Sequence, residues 1–139
     1  MFNTLEKDYA LVISQNLIWG DMDAYQHINN TVYFRYFEDT RMAYFEKIGV
    51  NAHMVQHNQA PILARTECDF RSPLIYPDQI YIATKCQLLS EKKFNMDYVI
   101  VSKAQNRLVA EGSGLGVYYD FNTHKSCKVP ERIALAMQS

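Results

Sequence analysis

A run of aromatic side chains at helical spacing sets the frame for this chain of 139 residues. Tyr33, Tyr36, Phe37, Thr40, Tyr44, Phe45 and Ile48 recur at three- and four-residue steps, while Arg35, Glu38, Asp39 and Glu46 fall between them. The spacing predicts a helix from Thr31 to Ile48. Asn29 or Asn30 stands where an N-cap is wanted, and Gly49 follows the last periodic residue, where a C′ glycine belongs. A helix of about 19 residues is about 28 Å long, enough to lie across a whole small sheet. Its aromatics read as the face that packs on that sheet.

Beyond His57-Asn58-Gln59 the character changes to β. Ile62 to Phe70, Ile80 to Leu89, Met96 to Ser102 and Leu108 to Phe121 carry alternating or β-branched runs. Turn signals separate them: Ser72-Pro73 with Tyr76-Pro77-Asp78, then Ser90-Glu91-Lys92-Lys93, then Gln105-Asn106-Arg107. Upstream, Leu11-Val12-Ile13 and Leu17-Ile18 read as a first strand that stops at Gly20-Asp21. The short late connections favour antiparallel hairpins. Gly112, Gly114 and Gly116 sit two apart, hence on one face of the last strand. Something bulky must press on that face, either the helix or a pantetheine or acyl chain. Pro130-Glu131-Arg132 opens a short terminal helix, with Pro at or near N1.

Composition excludes several classes. At 48% hydrophobic and 21% charged, the chain fits one globular domain, residues 1–139. A formal net charge of −1 and scattered Lys and Arg give no electrostatic case for nucleic acid. No apolar stretch approaches the roughly 20 residues that span a bilayer, and Met1 to Ala10 does not read as a signal peptide. Cys68, Cys86 and Cys127 are an odd number at wide spacing, without zinc-type clustering. They read as reduced thiols of a cytoplasmic protein, and no cofactor or metal is expected. His53 and His57 stand i,i+4, but no Glu follows His53 as in zinc proteases.

The chemistry concentrates just before the helix. Trp19 to Asn30 packs Asp21, Asp23, His27, Asn29 and Asn30 into one turn beside a helix N-terminus, whose free N–H groups and positive dipole end welcome a developing anion. A carboxylate facing such a site points to acyl transfer or hydrolysis. A capped, solvated acidic turn is the plainer alternative.

The pattern Gly-Asp-x-Asp-x-x-x-His-x-Asn-Asn-x-x-Tyr-x-x-Tyr-Phe-Glu, from Gly20 to Glu38, resembles the signature of hot-dog-fold acyl-CoA thioesterases of the 4-hydroxybenzoyl-CoA thioesterase type. Phe70 to Ile80 is similar to that family's Pro-to-Asp turn before a long strand, and Ala110-Glu111-Gly112 through Tyr119-Asp120 resembles its last strand. Many relatives carry Gly immediately before the His, where this chain has Gln26, so the turn's backbone or the reach of that side chain is expected to differ. The resemblance implies an α+β hot-dog fold, an antiparallel β-sheet wrapped around one long central α-helix. It also implies a homodimer, often paired into a homotetramer, with sites at the subunit boundary.

It further implies hydrolysis of acyl-CoA or acyl carrier protein thioesters. Asp23 matches the catalytic carboxylate, acting as nucleophile or general base, and the backbone N–H of Asn30 matches the donor that polarises the carbonyl. His27 could orient the carboxylate, bond the carbonyl or protonate the departing thiolate, or it could tie the turn to the helix. Asp21 reads as a turn-holding Asx residue. Glu38 reads as a solvated helix face, with a place in a partner's site as the alternative. Arg71, Lys92 and Lys93, at strand ends, are candidates for the phosphates of coenzyme A. The rival functions are a hot-dog dehydratase or hydratase working through His27 and an acid, and a non-catalytic acyl-binding dimer.

Overall fold

A computed structural model describes residues 2–139; Met1, where the expected single domain starts, lies outside the described residues. The predicted long helix is α2, Asn30–Ile48, closed by Gly49 in the left-handed region at φ 91°. Five strands build the antiparallel sheet: β1 Leu11–Asn16, β2 Gln59–Phe70, β3 Gln79–Leu88, β4 Lys93–Ser102 and β5 Arg107–Asp120. Their order is β1-β3-β4-β5-β2, with the two-residue β6, Lys125–Ser126, added to β5. The curled sheet with its long central helix is the hot-dog arrangement.

Three elements complete the order. The terminal helix α4, Glu131–Gln138, starts with Glu131 at N1 and Pro130 in the cap position. Two further helices had no strong signal in the sequence. The first, α1 (Phe2–Asp8), lies on the convex face, where Leu5 joins Ala83, Val99 and Val101 in a small second core. The second, α3 (Val50–His57), begins immediately after Gly49, so that glycine turns the chain between two helices instead of leading into a loop.

The concave face holds the main core. Val32, Tyr33, Tyr36, Phe37, Tyr44 and Phe45 of α2 are buried, as the aromatic spacing requires. Phe37 is stacked on Tyr98 of β4 at 4.6 Å between ring centroids. Complete burial of side chains of this size stabilises by roughly 1.5–3 kcal/mol each.

Two members of the glycine stripe are pressed by aromatics. A Cβ on Gly112 would stand 2.4 Å from Phe37 Cε2 of α2 and 2.8 Å from the carbonyl oxygen of Glu67; one on Gly116 would stand 2.3 Å from Phe94 Cζ on the neighbouring strand. At Gly114 the closest approach is 3.2 Å, to the end of Leu63. Gly112→Ala therefore forces backbone as well as Phe37 to move, and denaturant unfolding should show a loss of about 1–3 kcal/mol. Gly114→Ala should cost less than about 1 kcal/mol. Equal costs at the two positions would show that the aromatics do not set the glycine requirement.

Candidate functional site

Between β1 and α2 the chain makes a fastened turn. A single 3-10 turn, Trp19–Asp21, leads into it, and Met22 bridges Ile28 in antiparallel fashion. The Asp23 N–H donates to the His27 carbonyl at 2.9 Å, and the Gln26 N–H donates to the Asp23 carbonyl at 2.9 Å. Below it, the Ile28 N–H donates to the Leu74 carbonyl at 2.9 Å, joining the turn to the segment between β2 and β3. Buried Ile28 and Leu74 fix that junction.

Gln26 lies at φ 63°, in the left-handed region. The glutamine thus takes the conformation a glycine favours, and its exposed side chain has no hydrogen-bond partner among the described residues. Holding a non-glycine residue there costs about 1–2 kcal/mol.

Asp23 and the helix start are tied together by Asn29. Asn29 caps α2: its Oδ1 accepts from the Thr31 N–H at 2.9 Å and from Thr31 Oγ1 at 2.7 Å. Its Nδ2 points the other way, to Asp23 Oδ2 at 3.4 Å. Asp23 Oδ1 accepts from the Tyr25 N–H at 2.9 Å. The Asx-type bond assigned in the sequence to Asp21 is therefore made by Asp23. Asp21 instead holds the turn through its backbone carbonyl, which accepts from the Asn29 N–H at 3.0 Å, while its carboxylate sits 3.9 Å from Arg35.

The first N–H of α2, that of Asn30, has no acceptor among the described residues. It is one of the orphan donors every helix start presents. Asp23, His27 and Asn30 line one open depression of ≈ 470 Å³, walled by Tyr33, Phe70 and Arg71. The Phe70 ring is packed edge-on against Tyr33 at 4.9 Å. Tyr33 and Phe70 were absent from the sequence-derived site; the signal for Phe70 was only its place at the end of a strand.

The predicted phosphate ligands divide. Arg71 lies on the rim, its guanidinium 3.0 Å from Glu111 and 4.0 Å from Asp69. Lys92 and Lys93 lie elsewhere in the same chain. Lys92 sits in the β3–β4 turn and Lys93 opens β4, paired to Val117, whereas Arg71 joins the sheet at Val109. Eight residues of extended strand separate those levels, about 26 Å, so within one chain both lysines lie at the far end of the sheet. Glu38 is exposed on α2, 4.0 Å from Arg41.

The remaining polar clusters offer less. The His53 and His57 rings lie 4.5 Å apart, tilted by 33°, and His53 Nε2 is 2.9 Å from Gln59 Oε1. Among the described residues no three His, Cys, Asp or Glu side chains cluster for a metal. A larger groove of ≈ 740 Å³ lies between α3, α4 and the end of α2, lined by His53, Lys47, Arg132 and Glu46, whose carboxylate accepts from the Asn51 side chain. All three cysteines are free. Burial pushes the Cys68 thiol up to about 11 and Cys86 up to about 12, which leaves both protonated and poorly nucleophilic at neutral pH. Among the described residues no helix is long and apolar enough to cross a membrane.

A family model described as the thioesterase-like superfamily matches residues 17–137. The chain belongs to that superfamily. It is 28% identical over 105 residues to the long-chain acyl-CoA thioesterase FadM of Escherichia coli, covering 76% of this chain and 80% of FadM. To the chloroplastic acyl-acyl carrier protein thioesterase ATL3 of Arabidopsis thaliana it is 25% identical, covering 81% of this chain and 60% of ATL3. Among solved structures, Slr0204, a 1,4-dihydroxy-2-naphthoyl-CoA thioesterase from Synechocystis, superposes with a TM-score of 0.82 at 15% identity, over 92% of this chain and 95% of that one.

The turn yields a stability test. Gln26→Gly relieves the left-handed strain but adds freedom to the unfolded chain, so thermal unfolding should show stability unchanged or raised by up to about 1 kcal/mol. Gln26→Val should lose about 1–2 kcal/mol, because a β-branched residue tolerates that region worst. A Gln26→Gly variant less stable than Gln26→Val would contradict the fastened-turn description.

Proposed function

We propose that this chain is a thioester hydrolase of the 4-hydroxybenzoyl-CoA thioesterase type, cleaving acyl-CoA to free acid and CoA thiol at the turn before α2. The observation that carries the reading is the pairing, on one depression, of the Asp23 carboxylate with the unpartnered N–H of Asn30. FadM and ATL3 are named as thioesterases for acyl-CoA and for acyl-acyl carrier protein; the carrier-protein thioester is the second substrate to test.

The chemistry follows from the parts. The thioester carbonyl oxygen accepts from the Asn30 N–H, whose place at the helix start suits the negative charge that gathers there. Asp23 then either attacks the carbonyl carbon, forming a mixed anhydride that water cleaves, or takes a proton from an attacking water. In both routes the C–S bond breaks and the thiolate leaves, to be protonated by water or by His27. Asn29 and the Tyr25 N–H keep the carboxylate aimed. Arg71 stands nearest to meet the phosphates of coenzyme A, once released from Glu111.

The assembly is a homodimer or a homotetramer of paired dimers, in the cytoplasm. What supports dimerisation is β2: it is the last strand of the sheet, twelve residues long, and exposes Ile62, Leu63 and Phe70. A long unpaired edge with apolar side chains invites a second strand.

In a thiol-release assay with acyl-CoA, Asp23→Asn should lower turnover by at least about 10²-fold. His27→Ala should lower it roughly 10-fold to 10²-fold. Asp21→Asn, which loses only a long ion pair to exposed Arg35, should stay within a few-fold. If Asp23→Asn remains as active as wild type in a folded sample, the acid is wrongly chosen. Enoyl product without thiol release would favour the dehydratase.

Sedimentation provides the second check. A dimer or tetramer is expected, converted to an inactive monomer by proline substitution on the outer edge of β2. A stable, active wild-type monomer would refute the shared-site assembly.

A further inference from the structure

Arg41 is the least explained charge in the molecule. Its side chain is 12% exposed on the inward side of α2. Its Nη1 donates to Tyr98 Oη at 3.2 Å, and its Nη2 stands 4.0 Å from the mostly exposed Glu38 carboxylate, too far for a hydrogen bond. A guanidinium carries five donors, and among the described residues only one of those on Arg41 meets an acceptor within hydrogen-bond distance; the guanidinium also borders two small recesses. Arg41 lies between the two, in the seam separating α2 from β2: one is flanked by Phe34 and Leu63 with Arg35, Glu38 and Thr66 on its outer side, and the other is apolar apart from Arg41 itself, flanked by Phe45 and Gly114. Gly114 is the one member of the glycine stripe that neither Phe37 nor Phe94 presses, so the bare backbone leaves room beside the guanidinium.

The seam runs toward the Asp23 depression. Phe34 walls one recess, and its ring lies 6.5 Å from Phe70, which walls the depression. From Asn30 to Arg41 is eleven residues of helix, about 16 Å. An extended alkyl chain, advancing about 1.3 Å per bond, covers that length in roughly 12 bonds.

We propose that the α2–β2 seam receives the acyl chain and that Arg41, with Tyr98, binds a carboxylate at its far end, so that the preferred substrates are ω-carboxyacyl thioesters. This rests on the thioesterase reading of the Asp23 turn. A carboxylate accepts two parallel hydrogen bonds from a guanidinium, and the Tyr98 hydroxyl, which donates to Met96 Sδ at 3.6 Å in the free protein, can turn to donate a third. The stem of the chain lies on Phe70, Phe34 and Leu63. Glu38 competes for Arg41 from outside the seam and weakens the selectivity.

The test uses the native oligomer and two matched probes, tetradecanoyl-CoA and its ω-carboxylated counterpart, with the corresponding non-hydrolysable S-alkyl thioethers for binding by calorimetry. Wild type should favour the carboxylated member by at least about tenfold in kcat/KM and in affinity. Arg41→Met should abolish or invert that ratio, Arg41→Lys should retain part of it, and Glu38→Gln, which leaves Arg41 in place, should increase it. Equal handling of the two probes by wild type, or a ratio unmoved in folded Arg41→Met and Glu38→Gln, would overturn the proposal. Thioether affinities decide it even where no thiol is released, an outcome that would defeat the hydrolase reading alone.

Discussion

One carboxamide couples the acid to the helix. Asn29 spends its oxygen on the first turn of α2, accepting from Thr31, and its nitrogen on Asp23. The carboxylate is thereby held against the same helix start whose first N–H, that of Asn30, is free to meet an oxyanion. Neither half works alone in the proposed reaction. An uncapped helix start frays, and a carboxylate on a loose turn loses the alignment on which positional catalysis depends. The bond from the Ile28 N–H to the Leu74 carbonyl then anchors the whole turn to the sheet side of the molecule.

The sheet imposes the second constraint. One long helix fills its concave face with aromatics, and the small α1 covers part of the convex face through Leu5. That leaves β2 as a long strand with an open edge and with side chains exposed over most of its length. Fold and proposed assembly therefore follow from the same shortage of covering elements. The α2–β2 seam lies beside that edge, where a partner would roof it.

Legibility in the sequence tracked the strength of the local signal. The aromatic period located α2 to within one residue, and alternation with Pro, Asn and Ser turns located five strands. The two helices α1 and α3 are short, and only Leu5 and Val50 among their described side chains are buried, so neither shows a period. The turn stood out because chemistry-bearing residues crowd there, and the family resemblance then singled out Asp23 and Asn30 within it. The Asx bond was misassigned, since Asp21 and Asp23 are two residues apart and only the backbone path decides which one reaches back. The placement of Lys92 and Lys93 was not legible for a different reason: being at a strand end does not say which end of the sheet, and register settles that only after pairing is known. The role of Gln26 was hidden in the same way, because a single φ angle leaves no trace in residue type.

The central claim is that the Asn30 N–H receives the substrate carbonyl. Its most direct test is the amide resonance of Asn30 in the labelled protein, followed while adding an acyl-CoA analogue in which a methylene replaces the sulfur and the carbonyl is kept. The account predicts that the Asn30 amide moves downfield more than any other, with Asp23 and His27 responding beside it, and that the corresponding analogue without the carbonyl binds but leaves Asn30 nearly unmoved. Perturbations confined to the groove between α3 and α4, with Asn30 unchanged at saturation, would contradict it.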